Sequence, residues 1–342
     1  MNVELINQKS YVMNNPFISQ VSKLFSLLVI AALLSTGCEK EDFTREVPQA
    51  DDFRQLKERA LAERTQTTSF NAEEGIAFAT AAGAQLNIAP NSLHRDGNPV
   101  TGPVDLALVE LYHRSDMLVT NKSTMAITPN GDLAPLVSGG EFFIEVTQNG
   151  NRLELSNNMT LLIPADLTGG GDPDMTLWQG NVDADGDIVW DEQQDADGTG
   201  RDGLFVEGQG EGAQYYASFG DFGWTNVDRF FNDPRPKTTL QVTVPEGYDH
   251  TNSAVYLSYD GEPNTLAQLD TYDPVTETFS EHYGQIPVGL EMHVIFATEE
   301  NGQWRYAIQG VTVAADDVYH FSFDDTTTGS EQDLVDAIDQ LP

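Results

Sequence analysis

The chain has 342 residues and carries 17 Lys and Arg against 54 Asp and Glu, which gives a formal net charge of −37 at pH 7. A surface this negative repels nucleic acid and anionic membranes and attracts cations, so the composition argues against nucleic-acid binding. The single Cys excludes an intrachain disulfide, so a packed core must stabilise the fold, and the length allows two domains of ordinary size.

The first distinctive feature is an apolar run at residues 24–34, directly after Lys23. It is too short to span a bilayer as a helix, but it suits the core of a signal peptide. The small residues 35–37 follow and lead to Cys38. This pattern resembles the lipobox of bacterial lipoproteins, in which the thiol is acylated and the chain is cut before the cysteine. With Leu34 one place earlier than usual, it is similar to the loosened lipoboxes of the Bacteroidetes.

The resemblance implies that residues 1–37 are a lipoprotein signal peptide and that Cys38 is the lipid anchor, carrying acyl chains such as palmitate. The acyl chains on Cys38 would then attach the protein to the lipid membrane, which is its first expected partner. The translation start can be Met1 or Met13, because the segment before Lys23 is long for the n-region that precedes the apolar core of a signal peptide.

A short charged stretch, Lys40-Glu41-Asp42, lies just after the cysteine. It resembles the export signal that sends Bacteroidetes lipoproteins to the outer face of the outer membrane. We therefore expect an outer-membrane protein anchored by lipid at the cell surface. The alternative location is the periplasmic face of the membrane. The alternative interpretation of Lys40-Glu41-Asp42 is an ordinary solvated linker.

Residues 38–69 are predicted to be a lipidated tether followed by a short helix. The helix is expected from Asp51 to Arg64, because Phe53, Leu56, Ala60 and Leu61 then share one face.

From Phe70 onward the apolar period changes to two, which indicates strands. Residues 104–111, 142–146 and 152–155 alternate in this way, and Asn149-Gly150 between the last two is a strong hairpin signal. We predict a β-sandwich over residues 70–165.

An Asp- and Gly-rich stretch at residues 181–192 fits the spacing of a twelve-residue calcium loop. The flanking segments look like strands rather than the helices of an EF-hand, and a plain hairpin turn at Asp185-Gly186 is the alternative interpretation. Calcium is thus a possible cofactor, and its candidate ligands are Asn181, Asp183, Asp185, Asp187 and Glu192.

A polar and aromatic cluster at Trp224, Asn226, Asp228 and Arg229 lies in a segment that looks like a loop. It can be a contact for a ligand or another domain. The alternative is a structural plug, with Trp224 and Phe230 in the core and Asp228 pairing Arg229 or capping backbone amides.

A second β domain with a C-terminal helix is predicted over residues 236–342. Ser330 can cap that helix together with Asp333, and its apolar face would carry Leu334 and Ile338. The fold class is therefore mainly β, with two β-sandwich-like domains, a short N-terminal helix and a C-terminal helix.

Two stretches resemble a known family. Residues 83–93 with Gly97, 100–102, Val104 and 139–141 resemble the ZU5-like sandwich of many Bacteroidetes surface lipoproteins, and residues 223–230 resemble a motif that follows it there. The likeness covers most of 70–235, which we expect to be a ZU5-like β-sandwich that includes the Asp/Gly-rich loops. ZU5-like domains elsewhere are interaction modules, and the family supplies no catalytic residues.

No HExxH, GxSxG, P-loop or dinucleotide motif occurs in the sequence. We expect a non-catalytic cell-surface lipoprotein that acts as a binding, adhesion or envelope-assembly module for a protein or glycan ligand. The alternatives are a secreted hydrolase acting on polysaccharide or protein, and an accessory lipoprotein of an outer-membrane transporter.

Overall fold

The computed structural model describes residues 47–193, 203–208, 210–281 and 283–342. The predicted signal peptide, the lipid anchor Cys38 and the export signal Lys40-Glu41-Asp42 lie outside the described residues. Within them, no helix has the length and apolar character needed to cross a membrane.

The predicted mainly-β fold, with a helix near each end, is confirmed. The helices are α1 (Ala50–Glu63), α2 (Arg114–Val119) and α3 (Glu331–Asp339), and short 3-10 turns occur at Ala165–Thr168, Gly210–Gly212 and Phe323–Asp325.

The strands form two blocks. The N-block, residues 66–230, contains β1 (Gln66–Asn71), β2 (Ile76–Ala79), β3 (Gln85–Ile88), β4 (Leu93–Arg95), β5 (Asn98–Pro99), β6 (Pro103–Leu111), β7 (Met125–Ile127), β8 (Leu133–Gln148), β9 (Asn151–Arg152), β10 (Glu154–Leu155), β11 (Met159–Pro164), β12 (Thr176–Val182), β13 (Ile188–Glu192), β14 (Leu204–Glu207), β15 (Gln214–Phe219) and β16 (Gly223–Phe230).

The C-block, residues 237–329, contains β17 (Lys237–Thr238), β18 (Gln241–Thr243), β19 (Ser253–Tyr259), β20 (Leu266–Gln268), β21 (Thr271–Asp273), β22 (Thr278–Ser280), β23 (Ile286–Pro287), β24 (Glu291–Glu300), β25 (Gln303–Thr312), β26 (Val318–His320) and β27 (Thr327–Gly329).

The N-block is built from two main sheets. The larger has the order β1-β6-β8-β16-β12-β13-β7, and β8 also pairs with β7, so that part of this sheet closes on itself. The smaller has the order β14-β15-β11-β3-β2. Alternate side chains of both sheets form one apolar core. This core includes Leu106, Leu108, Phe142 and Ile144 from the larger sheet and Leu86, Leu161 and Ile163 from the smaller one.

The C-block repeats this arrangement. Its sheets have the orders β20-β19-β24-β25-β27 and β21-β22-β18-β26, and a second core lies between them. That core includes Val242, Val255, Leu257, Phe279 and Phe296.

A third core joins the helices to both blocks, and residues Val47–Pro342 cluster as one compact unit. Phe53 and Leu56 of α1, Trp178 and Trp190 of the N-block, Tyr256 and Trp304 of the C-block, and Leu334 and Ile338 of α3 all belong to it. The amphipathic faces of α1 and α3 therefore bury their apolar side chains between the blocks.

Two strand positions differ from the sequence prediction. β1 begins at Gln66, before the predicted change of period at Phe70. The segment interpreted as a loop, Gly223–Phe230, is strand β16 inside the larger sheet, between β8 and β12. Its polar residues hid the strand pattern, because Asn226 and Asp228 are buried by partners that are distant in sequence.

Candidate binding cleft beside the first helix

A cleft that contains both charged and aromatic side chains lies beside α1. Its walls are α1, the hairpin tip at residues 183–187 and the edge of the C-block at residues 250–279, and its volume is about 500 Å³. A smaller cleft of about 280 Å³ reaches residues 120–122 and shares Arg54, Lys57 and the hairpin tip with the first. We call the larger one the helix cleft.

The position of α1 fixes one wall of the helix cleft. Phe53, Leu56 and Ala60 are buried, and the Phe53 ring meets Trp304 edge-on with 6.0 Å between the ring centroids. At the other end, Arg64 pairs with Asp116 at 2.8 Å and with Glu331 at 2.6 Å, which ties α1 to α2 and α3. The helix is thus held by packing at one end and by ion pairs at the other.

The hairpin between β12 and β13 forms the second wall and contains the predicted calcium ligands. Asp183 Oδ1 accepts hydrogen bonds from the backbone amides of Asp185 (2.9 Å) and Asp187 (3.0 Å). The Asn181 side chain donates to Asp191 at 2.7 Å. Asp187 Oδ1 accepts from Asn121 at 2.5 Å. Several of the candidate side chains therefore take part in hydrogen bonds within the protein.

Glu192, the last predicted ligand, lies in β13 opposite Trp178, five residues beyond the end of the turn. Within the described residues, no group of three or more His, Cys, Asp or Glu side chains is placed to hold a metal ion. Calcium binding at this hairpin stays a prediction, and it can be tested directly.

Asp183→Ala is expected to lower the free energy of unfolding by about 1–2 kcal/mol, because two backbone amides lose their carboxylate acceptor. The measurement is urea unfolding in EDTA, so that any contribution of calcium is removed. Asp183→Asn should retain most of the stability, since its amide oxygen can still accept. Asp185→Ala is the matched control, because the Asp185 side-chain oxygens have no hydrogen bond within the described residues.

A rise in melting temperature on adding calcium to the EDTA-treated protein would favour the calcium loop over the plain turn.

Two lysines lie at the junction of the two clefts. Lys122 is 5% exposed. Its ammonium donates to the backbone oxygens of Gly186 (2.8 Å) and Asn121 (3.2 Å) and lies 5.5 Å from the centre of the Trp224 ring. Burial, with a smaller contribution from Lys57, lowers the pKa of Lys122 to about 8.

Lys57 differs from Lys122 in its partners. Its ammonium lies 4.6 Å from the centre of the Phe53 ring and makes no hydrogen bond within the described residues. Burial lowers the pKa of Lys57, although Asp187, Asp185 and Asp183 favour its charged form. Lys57 is therefore a hydrogen-bond donor without an acceptor at the edge of the helix cleft.

The third wall of the helix cleft comes from the C-block. The rings of His250 and Tyr272 are in contact there, with 5.1 Å between centroids and a tilt of 35° between planes, and Tyr272 in turn meets Phe279 edge-on at 5.0 Å. Gln268, at the end of β20, contributes an amide. Buried Leu269 and Phe279 underlie this wall, so it combines an apolar base with a polar rim.

The four residues of the predicted polar and aromatic cluster lie in different environments; they are Trp224, Asn226, Asp228 and Arg229. Trp224 is 6% exposed and packs against Phe143 and Trp190 in the third core. Asn226 and Asp228 are fully buried. Arg229 is half-buried and pairs with Asp172 at 2.6 Å rather than with Asp228. None of the four lines the helix cleft.

Asp228 accepts hydrogen bonds from groups inside the larger sheet. Its carboxylate accepts from the backbone amide of Gly139 at 3.2 Å and from the Asn226 side chain. Its carbonyl oxygen accepts from Trp178 Nε1 at 3.0 Å. The bond from Gly139 crosses a register irregularity between β16 and β8, where the strand ladder alone leaves backbone groups to be satisfied.

Glu141 is a fully buried acid that the sequence analysis did not identify. It is fully buried in β8, and both of its carboxyl oxygens are buried without a hydrogen-bond partner in the described structure. Burial, and then the nearby Asp228, raises the pKa of Glu141 well above its usual value, while Lys122 acts in the opposite direction. The signal for it in the sequence was an acid between Gly140 and the apolar run 142–144.

No protein-family model matches the chain, and no curated protein matches it either.

Proposed function

We propose that the chain is a non-catalytic lipoprotein, anchored at the cell surface through Cys38, whose β-rich body acts as a binding, adhesion or envelope-assembly module. The observation that carries the non-catalytic part is that, among the described residues, none of the four acids whose pKa burial raises lines the helix cleft; they are Glu141, Asp228, Glu262 and Glu281. Glu141 and Asp228, whose pKa values burial raises well above the usual range, are both fully buried and do not line the helix cleft.

A hydrolase that acts on polysaccharide needs an acid with a raised pKa that reaches its substrate. Glu141 and Asp228 fail that requirement, because a fully buried carboxyl group cannot reach a substrate in solvent to protonate its leaving group. Their environment instead fits a structural role. The helix cleft, in contrast, is accessible and offers hydrogen-bonding groups and a pair of aromatic rings in contact. Those properties suit a binding site.

The anchor is supported by the sequence and by the physics of lipidation. Each buried CH₂ group of an acyl chain contributes about 0.8 kcal/mol to membrane binding, so two chains anchor stably. Removing residues 1–37 takes away one acidic and two basic residues and leaves a net charge of −38. A body with that charge is repelled by anionic lipid headgroups, so the lipid is expected to supply the attachment.

The anchor predicts the outcome of one substitution. Cys38→Ser should abolish labelling by a palmitate analogue and release the protein from the membrane fraction, because no other acylation site is expected. The measurements are metabolic labelling and fractionation, with mass spectrometry of residue 38. Thr44→Ala is the control, since it leaves the lipobox intact. Finding residue 38 unacylated and the leader uncut in the wild type would contradict the proposal.

Exposure at the surface is tested separately. Protease treatment of intact cells should remove the wild-type protein. Replacing Lys40, Glu41 and Asp42 together with Ala should leave the protein lipidated but protected from protease.

Capture of partners from surface-labelled cells, with and without EDTA, then tests the binding role. Co-purification with a transporter would instead favour the accessory-subunit hypothesis.

A further inference from the structure

We infer that the helix cleft is a binding site for a neutral saccharide. The inference rests on the proposed binding function and names its ligand class and its location. Its basis is the combination of three features in one cleft: a charge that disfavours anions, free donors and acceptors side by side, and a pair of aromatic rings in contact at the rim.

The size of the cleft agrees with a small ligand or one end of a chain. Small-molecule sites typically occupy about 300–1,000 Å³, and the helix cleft has about 500 Å³. It is lined by three separate parts of the chain, namely α1, the hairpin tip and the C-block edge, so a ligand there would touch all of them. A site of this kind is more selective than a flat sheet surface.

The charges of the lining disfavour anionic ligands. Five aspartates line the cleft, whereas Arg54 and Lys57 are its Arg and Lys residues. Arg54 is already paired with Asp51 at 2.8 Å and with Glu58 at 2.8 Å. The aspartates are Asp51, Asp183, Asp185, Asp187 and Asp270. A phosphate, sulfate or uronate would therefore enter against a local negative charge.

The lining also holds polar groups without partners in the described structure. The Lys57 ammonium and the Gln268 amide offer donors, and the Asp185 carboxylate and the Gln268 oxygen offer acceptors; none of these side chains has a hydrogen bond within the described residues. A sugar hydroxyl donates and accepts at once, so it can use both kinds of group. A purely cationic ligand would use the acceptors and leave the Lys57 and Gln268 donors unsatisfied.

The rim carries a surface suited to a sugar ring. Tyr272 is half-buried and meets Phe279 edge-on, while His250 is exposed and contacts Tyr272 with 35° between the ring planes. The Tyr272 ring is thus fixed by packing before any ligand arrives, which reduces the entropy lost on binding. An accessible aromatic ring at the rim can place its apolar face against the C–H groups of a pyranose while the sugar hydroxyls reach the polar wall.

The test uses the full chain with Cys38→Ser on an array of immobilised oligosaccharides. The neutral probes are gluco-, manno-, galacto- and xylo-configured, polygalacturonate and a sulfated glycan serve as anionic probes, and immobilised spermidine is the cationic probe. We expect binding to at least one neutral probe, and a loss of about tenfold or more with Tyr272→Ala, since stacking and its associated contacts contribute more than 1.4 kcal/mol. Tyr216→Ala is the matched control, because Tyr216 is 40% exposed on β15 and outside the cleft.

Gln268→Ala and Asp185→Asn provide second variants should Tyr272→Ala unfold, which melting curves would show. Both should weaken binding to the neutral probe. The inference is overturned if the wild type binds no neutral probe, binds only spermidine or the anionic probes, or binds equally well after all three cleft substitutions. Each of these results leaves the proposed function standing when residue 38 is acylated and the protein is exposed on intact cells.

Discussion

Arg114→Ala is expected to lower the free energy of unfolding by about 3–4 kcal/mol, because it removes a buried side chain together with its hydrogen bonds to several backbone oxygens. The Arg114 side chain is 2% exposed and donates to the oxygens of Tyr259 (3.1 Å), Leu341 (2.8 Å) and Pro342 (3.0 Å). A longer bond, at 3.5 Å, reaches Glu262. One guanidinium thus links α2 of the N-block to a turn of the C-block and to the segment after α3.

The measurement is urea unfolding of the Cys38→Ser chain, followed by tryptophan fluorescence. Arg114→Lys should recover only part of the loss, because an ammonium cannot reach carbonyls on two separate segments in the fork geometry of Arg. Arg152→Ala is the control, since Arg152 is 64% exposed in its pair with Glu145, and such surface pairs contribute about 1 kcal/mol or less. A cost for Arg114→Ala as small as that of Arg152→Ala would show that the links across the blocks do not stabilise the fold.

The elements that the sequence predicted well are those with local signals. The predicted helix at 51–64 is α1 at Ala50–Glu63, and the capping pair Ser330 and Asp333 starts α3 as expected. Asn149-Gly150 forms the predicted turn, with both residues at positive φ. In each case the determining residues lie within a few positions of one another, so they can be recognised without knowledge of the tertiary structure.

The features that escaped prediction depend on distant residues. Asp228 looked like a loop residue because its amide donor, Gly139, is 89 positions away. Arg114 has partners 145 and 227 positions away at Tyr259 and Leu341. The helix cleft joins residues near 54, 185 and 270. Nothing in the spacing of these residues reveals that they meet, because the sheet pairings determine it.

The buried carboxyls make stability depend on pH in a defined direction. Burial raises the pKa of Glu141 and of Asp228 well above their usual values of 4.5 and 3.8. Between the unfolded and the folded pKa, the folded protein therefore holds more protons than the unfolded chain. Stability in that range falls as pH rises, since unfolding allows the acids to ionise in water.

Other groups act in different ranges. The pKa values of Asp249, Asp325 and Asp333 are lowered, so these acids add stability as pH rises through the acidic range. The pKa of Lys122 is lowered to about 8, so its contribution rises with pH only above that value. We therefore expect maximal stability in mildly acidic solution and a decline from there toward pH 8.

Glu141→Gln tests the origin of this decline. At pH 8 the substitution should raise the free energy of unfolding by about 1–3 kcal/mol, because it removes an acid that must either ionise without a partner or bind a proton. In mildly acidic solution the gain should shrink toward zero, since protonated Glu and Gln are both neutral and similar in shape. Glu154→Gln is the control, as Glu154 is exposed and its side-chain carboxylate has no hydrogen bond within the described structure. Should Glu141→Gln instead lose stability at pH 8, Glu141 must be ionised in the fold and stabilised there, and the charge of Lys122 would be the group to examine next.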